Sequence, residues 1–113
     1  MAYRKLGRRS QIRKSILSGL TKELIMHESI ITTEARAKEV RKFVDKMVTY
    51  GKKGCLVSRR KALAFLSNDN SVVKKVFEDL AERYKNRDGG YTRIIKITER
   101  RGDDALQVKI ELV

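Results

Sequence analysis

Apolar residues recur with a helical period through most of this chain and with a period of two at its end. Ile12, Ile16, Leu17, Leu20 and Leu24 fall on one stripe of a helix running from a Ser10 cap to about His27. Arg13 lies inside that stripe, where a purely buried face has no use for a guanidinium. Either its aliphatic stem snorkels along the core, or the first turn projects past the core toward a ligand; the second is preferred because that turn carries the charge of the arm with it. Ser29-Ile30-Ile31-Thr32 is a short β-branched run and predicts a strand. Thr33 is placed to cap a second helix, with Glu34 in its favourable first turn. Ala37, Val40, Val44, Met47 and Val48 mark its buried face. That helix is expected to end near Gly51, with Gly51-Lys52-Lys53-Gly54 as a basic loop. Ser58 predicts the start of a third helix that faces Ala62, Leu63 and Leu66 inward. Ser67-Asn68-Asp69-Asn70 breaks the chain. Ser71 then opens a fourth helix with Val72, Val73, Val76, Phe77, Leu80 and Tyr84 on its apolar side, and Asp88-Gly89-Gly90 stops it.

From Tyr91 to Thr98 the positions Tyr91, Arg93, Ile95 and Ile97 alternate with Thr92, Ile94, Lys96 and Thr98. From Ala105 onward Leu106, Val108, Ile110 and Leu112 alternate with Gln107, Lys109 and Glu111. Residues 99–104 join these two strands as a hairpin loop, and the isolated strand near Ile30 can add to one edge. The predicted fold is α+β, a single domain over 10–113. Its order is helix, strand, three helices, two strands, with a small three-stranded sheet. Residues 1–9 carry too few apolar side chains to pack and form an extended arm, expected to order only against a partner.

Charge changes the picture most. The first acidic residue is Glu23, preceded by Arg4, Lys5, Arg8, Arg9, Arg13, Lys14 and Lys22. Lys and Arg total 27 against 14 acids in 113 residues, a net charge of +13. An unbalanced basic arm repels itself unless a polyanion meets it, and nucleic acid is the leading polyanion. Two further clusters join the arm. One is Lys52 and Lys53 continuing into Arg59, Arg60 and Lys61. The other is Arg83, Lys85, Arg87, Arg93, Arg100 and Arg101 around the Gly-Gly turn and the hairpin loop. Long cationic side chains beside glycines suit phosphate contact, and arginine adds bidentate binding and stacking. The mixed-sign stretch from Glu34 to Glu39, with Arg36 and Lys38, is read instead as a solvated helix face.

Catalysis finds little support. His27 stands alone near a helix end, and Cys55 has neither a second cysteine nor a histidine motif beside it. One Cys and one His give no zinc spacing. Asp103-Asp104 fits a turn, and Gly89-Gly90 follows a helix, unlike a phosphate-cradling loop. No cofactor, metal or small-molecule substrate is expected. Tyr3 and Tyr91 are candidate base-stacking residues, whereas Tyr84 belongs to the core. With a lone cysteine and no apolar run of membrane-spanning length, a reducing cytoplasm without membrane contact fits best.

Several motifs in order resemble one family. Tyr3-Arg4-Lys5-Leu6-Gly7-Arg8 and Ile31-Thr32-Thr33-Glu34-Ala35-Arg36-Ala37-Lys38-Glu39 are similar to the opening of bacterial large-subunit ribosomal protein L-seventeen. So are Arg60-Lys61-Ala62-Leu63-Ala64-Phe65-Leu66, Asn86-Arg87-Asp88-Gly89-Gly90-Tyr91-Thr92-Arg93-Ile94 and the closing Ile110-Glu111-Leu112-Val113. Ala2-Tyr3 stands where that family often carries Arg-His. The resemblance implies a two-layer fold and a structural role on large-subunit ribosomal RNA near the exit tunnel. It also implies a neighbouring ribosomal protein, L-thirty-two. The residues alone lead only to a small basic nucleic-acid binder, for which a nucleoid-type DNA protein is the alternative and an RNA-acting enzyme a distant third. Arg4, Lys5, Arg8, Arg9, Arg13 and Lys14 are the first candidates for phosphate contact. Lys52, Lys53, Arg59, Arg60, Arg87, Arg93, Arg100 and Arg101 follow.

Overall fold

A computed structural model of the chain describes residues 10–99, 102 and 106–113. The arm, with Arg4, Lys5, Arg8 and Arg9, lies outside the described residues, as do Arg100, Arg101 and Asp103-Asp104 in the hairpin loop. The elements follow the predicted order: α1 (Ser10–His27), β1 (Ser29–Thr33), α2 (Glu34–Lys53), α3 (Leu56–Phe65), α4, β2 (Thr92–Glu99) and β3 (Leu106–Leu112). Helix α4 has three consecutive segments, an α-helical Asn70–Lys75, a π-helical turn Val76–Leu80 and a last turn Ala81–Arg83. The sheet order is β1-β3-β2, antiparallel throughout, so the early strand pairs with the last one. Ser29 stands opposite Glu111 at one end and Thr33 opposite Gln107 at the other.

Helix α2 is the centre of the molecule. Ala37, Val40, Val44, Met47 and Val48 are all buried, as their spacing predicts. They share one core with Val108 and Ile110 of β3, Leu24 and Ile25 of α1, and Val73, Val76 and Leu80 of α4. The helices cover one face of the sheet only. On the other face Ile31 and Ile95 flank Lys109 in register and stay exposed, as does Ile97, which a bulge between Lys96 and Thr98 leaves outside the ladder.

Several local expectations are corrected. Helix α1 already includes Ser10. Its buried stripe is Leu17, Thr21, Leu24 and Ile25, while Ile12 is half exposed. Thr21 can be buried because its hydroxyl donates to the Leu17 carbonyl at 2.7 Å. Thr33 precedes α2 without a side-chain capping bond. Helix α2 does not stop at Gly51. It runs on to Lys53 and closes at Gly54, whose left-handed backbone (φ 64°) lets its N–H donate to the Tyr50 carbonyl. Lys52 and Lys53 thus belong to a helical last turn, where cations suit the dipole.

Ser58 is inside α3, not at its cap. Its hydroxyl reaches the Tyr50 carbonyl at 3.1 Å and the Cys55 carbonyl at 3.0 Å, tying α3 to the end of α2. Asp69, not Ser71, caps α4, because its carboxylate accepts from the Ser71 and Val72 amides together. Helix α4 ends at Arg83, well before Gly89-Gly90, so those glycines shape the turn into β2 and do not stop the helix. Glu39, read as solvated, is fully buried, with the Lys42 ammonium 3.3 Å from its carboxylate. Among the described residues no helix is long and apolar enough to cross a membrane.

Candidate nucleic-acid interface

The helix stripe that buries Met47 also carries Phe43, Lys46 and Tyr50 on the side facing α1 and α3. Phe43 meets Phe65, the last residue of α3, in a nearly parallel stack with centroids 4.9 Å apart and planes 13° apart. The Ser18 hydroxyl donates to the Phe65 carbonyl at 2.7 Å and fixes α1 against the same helix end. Between the three helices lies an open groove of about 510 Å³. Leu17, Phe43, Met47, Tyr50, Ala64 and Phe65 form its apolar lining, Arg13, Lys14, Lys46 and Lys61 its charged part, and among the described residues no acid lines it. Among the described residues Lys14, Lys46 and Lys61 are exposed and take part in no ion pair.

Two of the sequence candidates, Arg13 and Lys14, therefore stand beside Lys46 and Lys61. By sequence Lys61 belongs with the Lys52 cluster, and Lys46 and Phe43 are not among the sequence candidates. The signal was present in the spacing of Phe43, Lys46, Met47 and Tyr50 at i, i+3, i+4 and i+7, which places a lysine within an aromatic stripe.

The other candidates are spread out. Lys53 and Arg60 are exposed at the end of α2 and on α3. Arg59 points the other way, its guanidinium carbon 5.3 Å from the Phe77 ring centroid. Lys52 is committed internally, donating to the Arg87 carbonyl at 2.6 Å and the Tyr91 hydroxyl at 3.1 Å. Arg87 donates through Nε to the Gly90 carbonyl at 3.1 Å. Arg93 pairs with Glu111 across β2 and β3 and pulls that carboxyl below its usual range. Tyr91 is buried, with its ring 5.1 Å from Tyr84 and its hydroxyl donating to the Arg87 carbonyl, so it is a core residue and not a stacking platform.

Arg83 is bound to Glu28 and Asp79, a structural network. Cys55 is exposed before the first turn of α3, with hydrogen bonding from Ser58 lowering its thiol pKa. Among the described residues no group of His, Cys, Asp or Glu is arranged to hold a metal ion.

Comparison with known proteins agrees with this arrangement of a compact basic domain. The family profile of ribosomal protein L17 matches residues 16–113. A relative from Caldanaerobacter subterraneus subsp. tengcongensis, named large ribosomal subunit protein bL17, is 58% identical over the whole of both chains. The protein of the same name from Ligilactobacillus salivarius is 57% identical, covering all of this chain and 99% of that one. The one from Streptococcus gordonii is 52% identical over the full length of both. With a family match across nearly all of its length and relatives above half identity from end to end, the chain belongs to the ribosomal protein L17 family.

Proposed function

We propose that this protein is a structural constituent of the large ribosomal subunit that binds large-subunit ribosomal RNA and supports subunit assembly. Its family is one of structural, non-enzymatic ribosomal components. The observation that carries the RNA reading is the groove between α1, α2 and α3, whose lining among the described residues is basic and holds no acid. Among the described residues no acid pairs with Lys14, Lys46 or Lys61 there, and the uniformly cationic residues 1–9 adjoin it in sequence. Arg4, Lys5, Arg8, Arg9, Arg13 and Lys14 supply the main phosphate contacts. Lys53 and Arg60 extend them, and Arg87, Arg100 and Arg101 form a second contact region. A neighbouring ribosomal protein, for which L-thirty-two is the candidate, is the remaining partner. The exposed Ile31, Ile95 and Ile97 on the open sheet face offer it an apolar surface.

Salt dependence of binding to large-subunit ribosomal RNA tests this. Each phosphate neutralised contributes roughly −0.7 to −0.9 to the log–log slope. Replacing Arg8, Arg9 and Arg13 by Gln makes the slope shallower by roughly two to three units. An unchanged slope in a folded variant places the interface elsewhere. Equal affinity for duplex DNA would favour the nucleoid alternative.

A further inference from the structure

The groove between α1, α2 and α3 combines two properties that a phosphate-binding surface does not need together. Cations alone suffice to hold a sugar–phosphate backbone. Here they surround an apolar lining in which two phenylalanine rings, each partly exposed, stack at 4.9 Å. Its volume of about 510 Å³ lies within the roughly 300–1,000 Å³ typical of sites that enclose an organic ligand. We propose that this groove receives a nucleotide turned out of the ribosomal RNA stack, its base against the Phe43–Phe65 pair and its flanking phosphates met by Lys14, Lys46 and Lys61. The inference rests on the RNA-binding reading and adds what part of the RNA is held and by which residues.

Charge complementarity selects this occupant over a peptide. An apolar peptide side chain fills the lining but leaves several lysines without counter-charge. An unstacked nucleotide brings a flat π face and a phosphate on either side of it, so one residue of RNA satisfies both halves of the groove. Stacking on an aromatic ring tolerates any base, because every base has such a face. The groove's geometry is also held from within. Ser18 ties α1 to the Phe65 carbonyl, and Ser58 ties α3 to the Tyr50 carbonyl, so the three helices present the rings and ammonium groups on a fixed frame.

The test uses the full-length protein and large-subunit ribosomal RNA, with zero-length ultraviolet crosslinking and mass spectrometry to locate nucleotide adducts on the protein. Adducts on the peptides carrying Phe43 or Phe65 are expected. Phe65→Leu retains an apolar side chain. It should lower RNA affinity about tenfold with the salt slope unchanged, since it removes stacking and no charge. Changing Lys14, Lys46 and Lys61 together to Gln should make that slope shallower by roughly two to three units. Adducts confined to other peptides, while RNA binding keeps its wild-type slope, overturn the groove proposal and leave the RNA reading standing. Crosslinks from Phe43 or Phe65 to a ribosomal protein in assembled subunits overturn it in favour of a peptide occupant. Absence of any RNA binding removes both readings. The wild-type adduct map decides the matter even where a variant fails to fold.

Discussion

Gly51 of α2 lies directly against Val76 of α4: a β-carbon at Gly51 would come within 2.9 Å of the Val76 carbonyl oxygen and 3.0 Å of its Cγ1. Val76 opens the π-helical turn, and the missing side chain lets the two backbones approach. Gly51→Ala sets two effects against each other. Alanine gains roughly 0.5–1 kcal/mol in helix propensity, while overpacking against a fixed carbonyl costs typically about 1–3 kcal/mol. A net loss of stability is expected, read as a lower denaturant midpoint with unchanged m-value. A variant as stable as wild type would show that the helices can part without cost.

The same contact explains where the sequence misled. Gly51 reads locally as a helix breaker, and only a residue of another helix makes it a packing position. The order of elements and the cores of α2 and α4 were legible because periodicity is a local property that burial then obeys. Ser58 and Tyr91 were misread for the same reason as Gly51. The Ser58 hydroxyl turns back onto the end of α2, and the Tyr91 hydroxyl accepts from Lys52 of that helix, contacts made by packing that hydrophobic periodicity does not register. The groove was half legible: Arg13 stood out within its stripe, but the Phe43–Phe65 stack joins two helices. Arg93 looked available until the strand register set it opposite Glu111.

Glu28 occupies a left-handed position (φ 65°) at the end of α1 and gathers Arg83 and Lys75. Hydrogen bonding from Arg83, reinforced by Lys75 against a desolvation cost, draws its carboxyl from 4.5 down to about 2. A carboxyl depressed by folding contributes stability that is complete above its unfolded pKa and is lost as pH falls through the folded one. Melting temperature should therefore decline between about pH 5 and pH 2 less steeply in Glu28→Gln than in wild type. Partial exposure of the pair keeps the effect small. Parallel profiles would mean that the network contributes nothing to acid stability.

Asp45 on α2 has the opposite sign. Burial raises its pKa, only partly offset by the Tyr91 amide and by Arg41. An acid whose pKa rises on folding costs the native state nothing below its unfolded pKa, and that cost is complete once pH has climbed through the folded one. Asp45→Asn keeps an acceptor for the Tyr91 amide and removes the charge. At neutral pH it should melt no lower than wild type, and the difference should close in acid, where protonated Asp45 carries no charge either. A lower melting temperature at pH 7 would show that the carboxylate is held by more than these contacts.

Gly89 and Gly90 shape the turn that carries Arg87, with φ of 84° and 61°. Open space surrounds a β-carbon at Gly89, whereas one at Gly90 would stand 3.9 Å from Arg87 Nη2, an ordinary contact. Crowding is therefore not the issue at either site. Backbone conformation is, since a β-branched residue at positive φ is a steric outlier, with a left-handed penalty of roughly 1–2 kcal/mol. Gly89→Val and Gly90→Val should both lower the melting temperature. Their effects on RNA should differ, because Arg87 Nε is held by the Gly90 carbonyl and the Arg87 carbonyl by Lys52 and Tyr91. Shifting Gly90 moves the acceptor that sets the guanidinium, while Gly89 makes no such bond among the described residues. With folded protein at matched concentration, Gly90→Val should weaken ribosomal RNA binding about as much as Arg87→Gln does, and Gly89→Val should weaken it less. If both valine variants lose stability but bind RNA as wild type does, the turn serves the fold alone and Arg87 leaves the list of RNA contacts.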